Sequence, residues 1–370
     1  MKILHFILGK ADKSRANGVN QVIAGLAKNL ISNGCELRIL GKAESVEREG
    51  EAIQRDGFKV VAYSKNLTGL LSDLRDSIRW ADVVHLHGLY NLWNLFVALL
   101  CIIEKKPYVL TLHDGLAPAR LKNRRRWLKS VYNILLQKRH IKRAKIIHVL
   151  TEEESTDLVN FVGDVNHCII HNGVDLDEYP KRTSVRIKTK SKKLMIGYLG
   201  RFSVEKNTHN LIKAFLRTNL YMDAELILAG PKSHYLDKLL AKRCSDPIRW
   251  VGAKYGSDKQ EFLDSLDIFV HPAICDVFSI GAMEALASGV PLLITRTSNT
   301  PYFFNRNAYF MCEPTVQGLC RGLENAIASR GKWREFSSSG RVLVEEVFNW
   351  RVASNKMMLV YEGILADQSV

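Results

Sequence analysis

No apolar run in this sequence is long enough to cross a bilayer. The most apolar stretch, LWNLFVALLCII at 92–103, is about half of the ~20 residues a spanning helix needs and reads as a buried helix. The first residues, MKILHFILGK, are followed by no small-residue cleavage site, so they read as a buried strand rather than a secretory leader. Paired cysteine motifs are also missing. The seven cysteines, Cys35, Cys101, Cys168, Cys244, Cys275, Cys312 and Cys320, are dispersed without a CxxC. With no histidine cluster at metal-ligand spacing in the chain, free thiols in a reducing cytosol are expected and structural zinc is not. Internal repeats and low-complexity segments are absent as well.

Acid is locally absent. From Gly115 to Leu150 there is none, against eleven Lys and Arg residues, while residues 151–180 carry eight acids and no Lys or Arg. The net charge of +15 is therefore concentrated in a block that points to an anionic surface or ligand. Within 116–145, Trp127, Leu128, Val131, Leu135 and Leu136 interleave with the basic residues. That pattern fits an amphipathic segment lying on anionic lipid; the plainer alternative is the solvated face of an ordinary helix. No RNA- or DNA-binding motif accompanies it, and no nucleic-acid partner is expected.

What is present is a repeating strand–helix rhythm. MKILHFIL, ELRILG, FKVVAY, VVHLHG, YVLTLHD, KIIHVLT and HCIIHN read as strands, with helical stretches such as NQVIAGLAKNLISNG between them. After the basic run KRTSVRIKTKSKK the pattern restarts with LMIGYLG, AELILAG, IRWVG, DIFVHP and PLLITR. The fold class is α/β: two Rossmann-like, doubly wound parallel-sheet domains facing a central cleft, with ligands at the carboxyl ends of the strands. The expected divisions are 1–180, a linker at 181–193, 194–347, and a C-terminal helix within 348–370 packing back toward the first domain.

The stretch CDVFSIGAMEALASGVP at 275–291 carries the most chemistry. Ser279 suits a helix N-cap, Gly289 a helix stop, and the helix is expected from about Ile280 to Ser288. Ile280, Met283, Glu284 and Ala287 share one face of it, so Glu284 is expected to be buried. A buried carboxylate needs partners, and two readings follow: a structural ion pair with Lys or Arg, or a ligand for a ribose diol. The helix-end amides of Val277, Phe278 and Ser279 suit an anion, and Asp276 can accept from hydroxyls. In GYLGRFSVEKN at 197–207, Arg201 and Lys206 beside a glycine turn suit a diphosphate; surface cations at such spacing are also common.

GRFSVEKN, ELILAG, RWVGA, FVHPAICDVFSIGAMEALASGVP and IIHNGVDLDEY together resemble the signature segments of glycosyltransferase family 4, in order and over nearly the whole chain. The resemblance implies the GT-B fold and a retaining enzyme with a nucleotide-diphosphate sugar, carrying UDP or GDP, as co-substrate and no cofactor. It assigns Arg201 and Lys206 to the donor diphosphate, Glu284 to the ribose, and the loop Asp276–Ser279 to diphosphate and sugar. Gly18, following Asn17 at the head of the first helix, joins the donor site. His113, in TLHDG, becomes a donor-sugar contact near the reacting centre; by itself it is as easily a structural histidine at a strand end. His113, Asp276, Arg201 and Lys206 are the catalytic candidates, with His87 and Asp114 on the acceptor side. Three positions depart from the family pattern: Asp276 stands where glutamate is usual, and Ser279 and Asn207 where glycine is usual. Asp175-Leu176-Asp177 has the form of a metal-binding DxD but lies at the expected crossing between domains; no metal is expected.

The function expected from these features is sugar transfer to a hydroxyl acceptor, a lipid-linked glycan of a bacterial surface polysaccharide. The protein is placed in the cytoplasm, peripheral on the inner face of the cell membrane. A GT-B nucleotide-sugar epimerase, or a non-catalytic membrane- or nucleic-acid-binding protein on the same fold, are the alternatives.

Overall fold

The structure, a computed structural model, describes residues 1–7, 18–41, 52–55, 58–62, 67–117, 136–180, 193–240, 247–298 and 307–367. The expected linker at 181–193, apart from Lys193, lies outside these residues, as do Asn17 and residues 118–135 of the basic block. The chain divides into two compact units, Met1–Asn172 with Trp350–Val370, and Gly173–Asn349.

In the first unit the order is β1 (Lys2–Phe6), α1 (Gly18–Ser32), β2 (Glu36–Gly41), β3 (Ala52–Arg55), β4 (Phe58–Ala62), α2 (Leu67–Trp80), β5 (Val83–His87) and α3 (Leu92–Ile103). It continues through β6 (Tyr108–Thr111), α4 (Lys138–Arg143), β7 (Ile146–Val149), α5 (Glu152–Val162) and β8 (His167–Ile169). Eight strands form one sheet in the order β3-β4-β2-β1-β5-β6-β7-β8, parallel except for the β3–β4 pair. Strand order reverses between β1 and β5, the position at which such sheets bind ligands.

Side chains alternate across each strand. Leu4, Phe6, Val84, Leu86, Leu110 and Ile147 enter one core together with Leu74, Ile78, Val97 and Ala98 of α2 and α3. The intervening positions, His5, His85, His87, Thr111 and His148, are buried on the other face.

The second unit contains β9 (Leu194–Leu199), α6 (Thr208–Arg217), β10 (Ala224–Ala229), α7 (His234–Leu240), β11 (Ile248–Trp250), α8 (Gly256–Ser265) and β12 (Ile268–His271). It closes with α9 (Ile280–Ala287), β13 (Leu292–Thr295), β14 (Phe310–Cys312), α10 (Val316–Ala328) and α11 (Trp333–Glu346). Its parallel sheet runs β11-β10-β9-β12-β13-β14 and reverses between β9 and β12. Residues Gly173–Pro180 belong here because Val174 bridges Asn349 and Arg341 donates to the carbonyl of Tyr179.

The last helix, α12 (Trp350–Ala366), belongs to the first unit. Its Trp350 ring lies where a side chain on Gly25 of α1 would stand: a Cβ there would come within 2.3 Å of the indole. Glycine on α1 is what allows the two helices to approach this closely.

Candidate active site

The site in the second unit is built where β9 and β12 lie side by side. β9 delivers Gly200 and Arg201. A Cβ on Gly230, which follows β10, would stand 2.0 Å from the Gly200 carbonyl oxygen, so glycine lets the two strand exits touch. Tyr198 donates to the Arg201 carbonyl at 2.7 Å, fixing the turn while the Arg201 side chain stays exposed.

Lys206 and Asp276, 70 residues apart, meet here: Nζ donates to Oδ2 at 2.5 Å. Between Lys206 and α6, Asn207 is left-handed with φ 59, a conformation asparagine tolerates. Its side-chain amide donates to the carbonyls of Pro272 and Pro314 at 2.9 and 2.7 Å. Asparagine therefore holds the left-handed conformation and also ties the β9 exit to the β12 exit.

Ser279 caps α9, accepting from the Ala282 amide at 3.2 Å, and Gly289 ends the turn beyond it at φ 68. The same hydroxyl lies 3.1 Å from His271 Nδ1. Because Oγ accepts from the amide, its hydrogen can be given to the ring, which places the imidazole proton on Nε2, facing Asp276. That nitrogen is 2.9 Å from Asp276 Oδ2 but off hydrogen-bond alignment. Burial pushes the Asp276 carboxyl up, but Lys206 and His271 outweigh it and hold the group well below the usual carboxylate range. Burial in turn lowers His271, against the raising effect of Asp276. The result is an ionised carboxylate with Lys206 hydrogen-bonded to Oδ2 and the His271 ring beside the same oxygen.

Glu284 is buried on α9 as expected, and it is ion-paired: Lys259 Nζ of α8 lies 2.5 Å from Oε1. The structural alternative posed by the sequence is therefore realised in part. Tyr179 is buried beside the pair, its hydroxyl raised by burial and then by Glu284, with the Lys259 ammonium 5.8 Å from its ring centre. Phe278 stacks edge-on against Phe348, with ring centres 5.6 Å apart.

In the first unit, His113 and Asp114 follow β6 with φ 48 and 66. Two successive left-handed residues, neither of them glycine, are costly and persist only where their surroundings hold them. Glu154 of α5 holds one side: its oxygens accept from the Asp114 and Leu150 amides, both at 2.7 Å. Burial raises its carboxyl to about 7 against the lowering effect of those two amides. His87 holds the other side, its Nδ1 lying 3.0 Å from His113 Nε2. Gly18 is the first residue of α1. Asp175 caps a short turn by accepting from the Asp177 amide at 3.2 Å.

Sequence reasoning does not find His271, Lys259, Glu154 or His5. For Glu154 a signal exists in Thr151-x-x-Glu154, the capping-box pattern; Thr151 does accept from the Glu154 amide, at 3.2 Å. Among the described residues, His5, His85 and His87 form the group that could hold a metal, with ligand atoms all within 4.8 Å of one another. His85-x-His87 is visible in the sequence, but His5 joins them only through the pairing of β1 with β5.

Residues 16–178 match the family described as Glycosyltransferase Family 4, and residues 181–342 the one described as Glycosyl transferases group 1. A GDP-mannose:cellobiosyl-diphosphopolyprenol alpha-mannosyltransferase of Xanthomonas oryzae is 26% identical over 301 residues, 76% of this chain and 75% of that protein. One component of human phosphatidylinositol N-acetylglucosaminyltransferase is 26% identical over 151 residues, 40% of this chain and only 31% of that protein. Of the two mycobacterial phosphatidylinositol dimannoside mannosyltransferases that match, the chain likewise spans 52%. Among solved structures, sucrose-phosphate synthase from Thermosynechococcus elongatus superposes with a TM-score of 0.81 over 99% of both chains at 15% identity. Anabaena HepE in complex with UDP-glucose gives 0.80 over 98% of this chain and 100% of that one, at 16% identity. With two sheets of this topology, and two matched segments that follow each other along the chain, the protein belongs to glycosyltransferase family 4 and has the GT-B fold.

Proposed function

We propose that the protein transfers a sugar from a nucleoside-diphosphate sugar to a hydroxyl of a lipid-linked glycan, with retention at the anomeric carbon. The observation that carries this reading is the meeting of Lys206 with Asp276 at the β9–β12 reversal, beside the exposed Arg201. Cations at that place suit a diphosphate, and an ionised carboxylate next to them suits a sugar hydroxyl.

In the reaction, the bond between the anomeric carbon and the β-phosphate oxygen breaks as the acceptor oxygen bonds to the same carbon. The acceptor proton passes to the departing phosphate. Negative charge grows on that phosphate, where Arg201, Lys206 and the amides at the head of α9 stabilise it. The charge is met by these groups with no metal in the scheme. Asp276 accepts from the sugar, with Val277, Phe278 and Ser279 forming the loop around it, and His113 is assigned a sugar contact. Gly18 lets α1 approach a phosphate. Glu284 serves the ribose: a carboxylate has about four acceptor directions, and Lys259 fills one.

Two features support attachment to an anionic membrane surface, on the inner face of the cell membrane. Helix α3 carries no charge and leaves Leu92, Leu99 and Ile103 67%, 48% and 56% exposed, and α4 exposes Arg139, Lys142 and Arg143. Among the described residues no helix is long and apolar enough to cross a membrane. A polyprenol-linked acceptor, like the one in the name of the Xanthomonas relative, fits this surface. Its origin in a bacterial surface polysaccharide is part of the same proposal.

The test is a panel of GDP- and UDP-sugars incubated with polyprenyl-diphosphate glycans, with the product's anomeric configuration read by NMR. A new glycosidic bond with the donor's configuration is expected. A donor converted to an epimeric nucleotide sugar without any acceptor indicates an epimerase, and no turnover with any pair rejects the enzyme reading.

A further inference from the structure

Two hydrogen-bonded lines of side chains cross the strands of the first unit on the face away from the α2–α3 core. In one, Tyr361 Oη, His85, Thr111 and His148 follow at 2.6, 2.6 and 2.8 Å, and His148 Nε2 ends 2.8 Å from the Ile170 carbonyl. A carbonyl only accepts, so the neutral His148 carries its proton on Nε2 and its Nδ1 accepts from Thr111. Thr111 then accepts from His85 Nε2–H, and His85 Nδ1 accepts from Tyr361. One carbonyl sets every tautomer in that line.

The other line is His5, His87 and His113. His5 Nδ1 is 2.9 Å from His87 Nε2, and His87 Nδ1 is 3.0 Å from His113 Nε2. Successive ring planes differ by only 17° and 26°. Burial keeps His5 (lowered to about 3) and His87 (well below its ordinary value) uncharged. At the inner end, His5 Nε2 is buried and has no partner among the described residues. A buried N–H without an acceptor is rarer and costlier than a lone pair without a donor. His5 therefore carries its proton on Nδ1 and gives it to His87, which gives its own Nδ1–H to His113 Nε2.

We propose that His5 and His87 are positioning residues that fix the ring of His113 with Nε2 as acceptor and the proton on Nδ1. Any contact of His113 with the sugar rests on the function proposed above. His87 is thus assigned to His113 rather than to the acceptor, since both its nitrogens are engaged and it is buried. The same bonds occupy the three-histidine group: among the described residues, His5 Nε2 is the one ring nitrogen of the three without a partner.

The test uses the full chain labelled with ¹⁵N-histidine. Long-range ¹H–¹⁵N spectra should show His113 protonated on Nδ1, and the His87→Leu variant should lose that single tautomer. In turnover, His87→Leu should lower kcat on the order of tenfold or more, as loss of a fixed tautomer does in other enzymes, with the donor KM within about threefold. His87→Asn, which keeps an N–H near the Nδ1 position, should recover much of the loss. A wild-type His113 protonated on Nε2, an unchanged tautomer in His87→Leu, equal kcat for the Leu and Asn variants, or one tightly bound metal per chain would each overturn the assignment. The spectra need no substrate, so a protein that turns over no sugar nucleotide still tests the tautomer while failing the proposed function.

Discussion

Lys259 Nζ lies 2.5 Å from Glu284 Oε1, and the two side chains are only 11% and 8% exposed. A pair buried this deeply is far more sensitive to losing one partner than to losing both. Lys259→Met strands a carboxylate and should cost about 3–5 kcal/mol. The double variant Lys259→Met with Glu284→Gln should recover a large part of that. Chemical unfolding of the three proteins measures it, and equal losses in single and double variants would show that Glu284 does not depend on the lysine.

Glu154 makes stability depend on pH in a direction unusual for a carboxylate. Its folded pKa is raised from 4.5 to about 7, so between those values the folded state binds more protons than the unfolded. Its contribution is complete below the unfolded value and is lost as pH rises through about 7. The shift corresponds to roughly 3 kcal/mol. Thermal midpoints across pH 4.5–7 should therefore decline less in Glu154→Gln than in the wild type; parallel curves would contradict the shift.

Asn207 combines a left-handed backbone with two buried amide bonds. Asn207→Gly keeps the conformation and loses the bonds, about 1–3 kcal/mol. Asn207→Ala loses the bonds and adds strain, so it should be the less stable of the two by roughly 1 kcal/mol. If alanine is tolerated as well as glycine, the conformation does not explain the choice of residue.

The exposed apolar side of α3 should matter for lipid and not for folding. Leu99→Glu with Ile103→Glu should leave the unfolding midpoint within about 0.5 kcal/mol of wild type, as for other surface changes. Co-sedimentation with vesicles containing anionic phospholipid should fall at least severalfold. Unchanged partitioning would leave α3 outside any membrane contact, and a concentration-dependent dimer lost in the variant would assign the face to a second copy of the chain.

How much of this is legible without coordinates varies with the range of the interaction. Runs such as ILHF and LLIT show their strands, and Ser279 and Gly289 bound α9 within one residue, because caps and stops are local chemistry. β3 and β14 go unnoticed, since AIQR and FMC are too short to show a period. The approach of Lys206 to Asp276 depends on β9 and β12 being neighbours at the sheet reversal, which no local pattern encodes. Lys259 sits in the charged stretch GSDKQEFLDS, which shows no local sign of burial; the packing of α8 is what buries it beside Glu284. The histidine line is hidden for the same reason, with one member on each of β1 and β5 and one after β6. Asn207 is the intermediate case: its departure from glycine is visible, but its reason is not.

The central claim is that the β9–β12 reversal binds a diphosphate. Its most direct measurement is the thermal shift produced by GDP- and UDP-sugars in the wild type and in Arg201→Ala and Lys206→Ala. The account predicts a clear stabilisation of the wild type by at least one of these donors, lost or reduced at least tenfold in apparent affinity in both variants. Stabilisation of the variants equal to that of the wild type would contradict it.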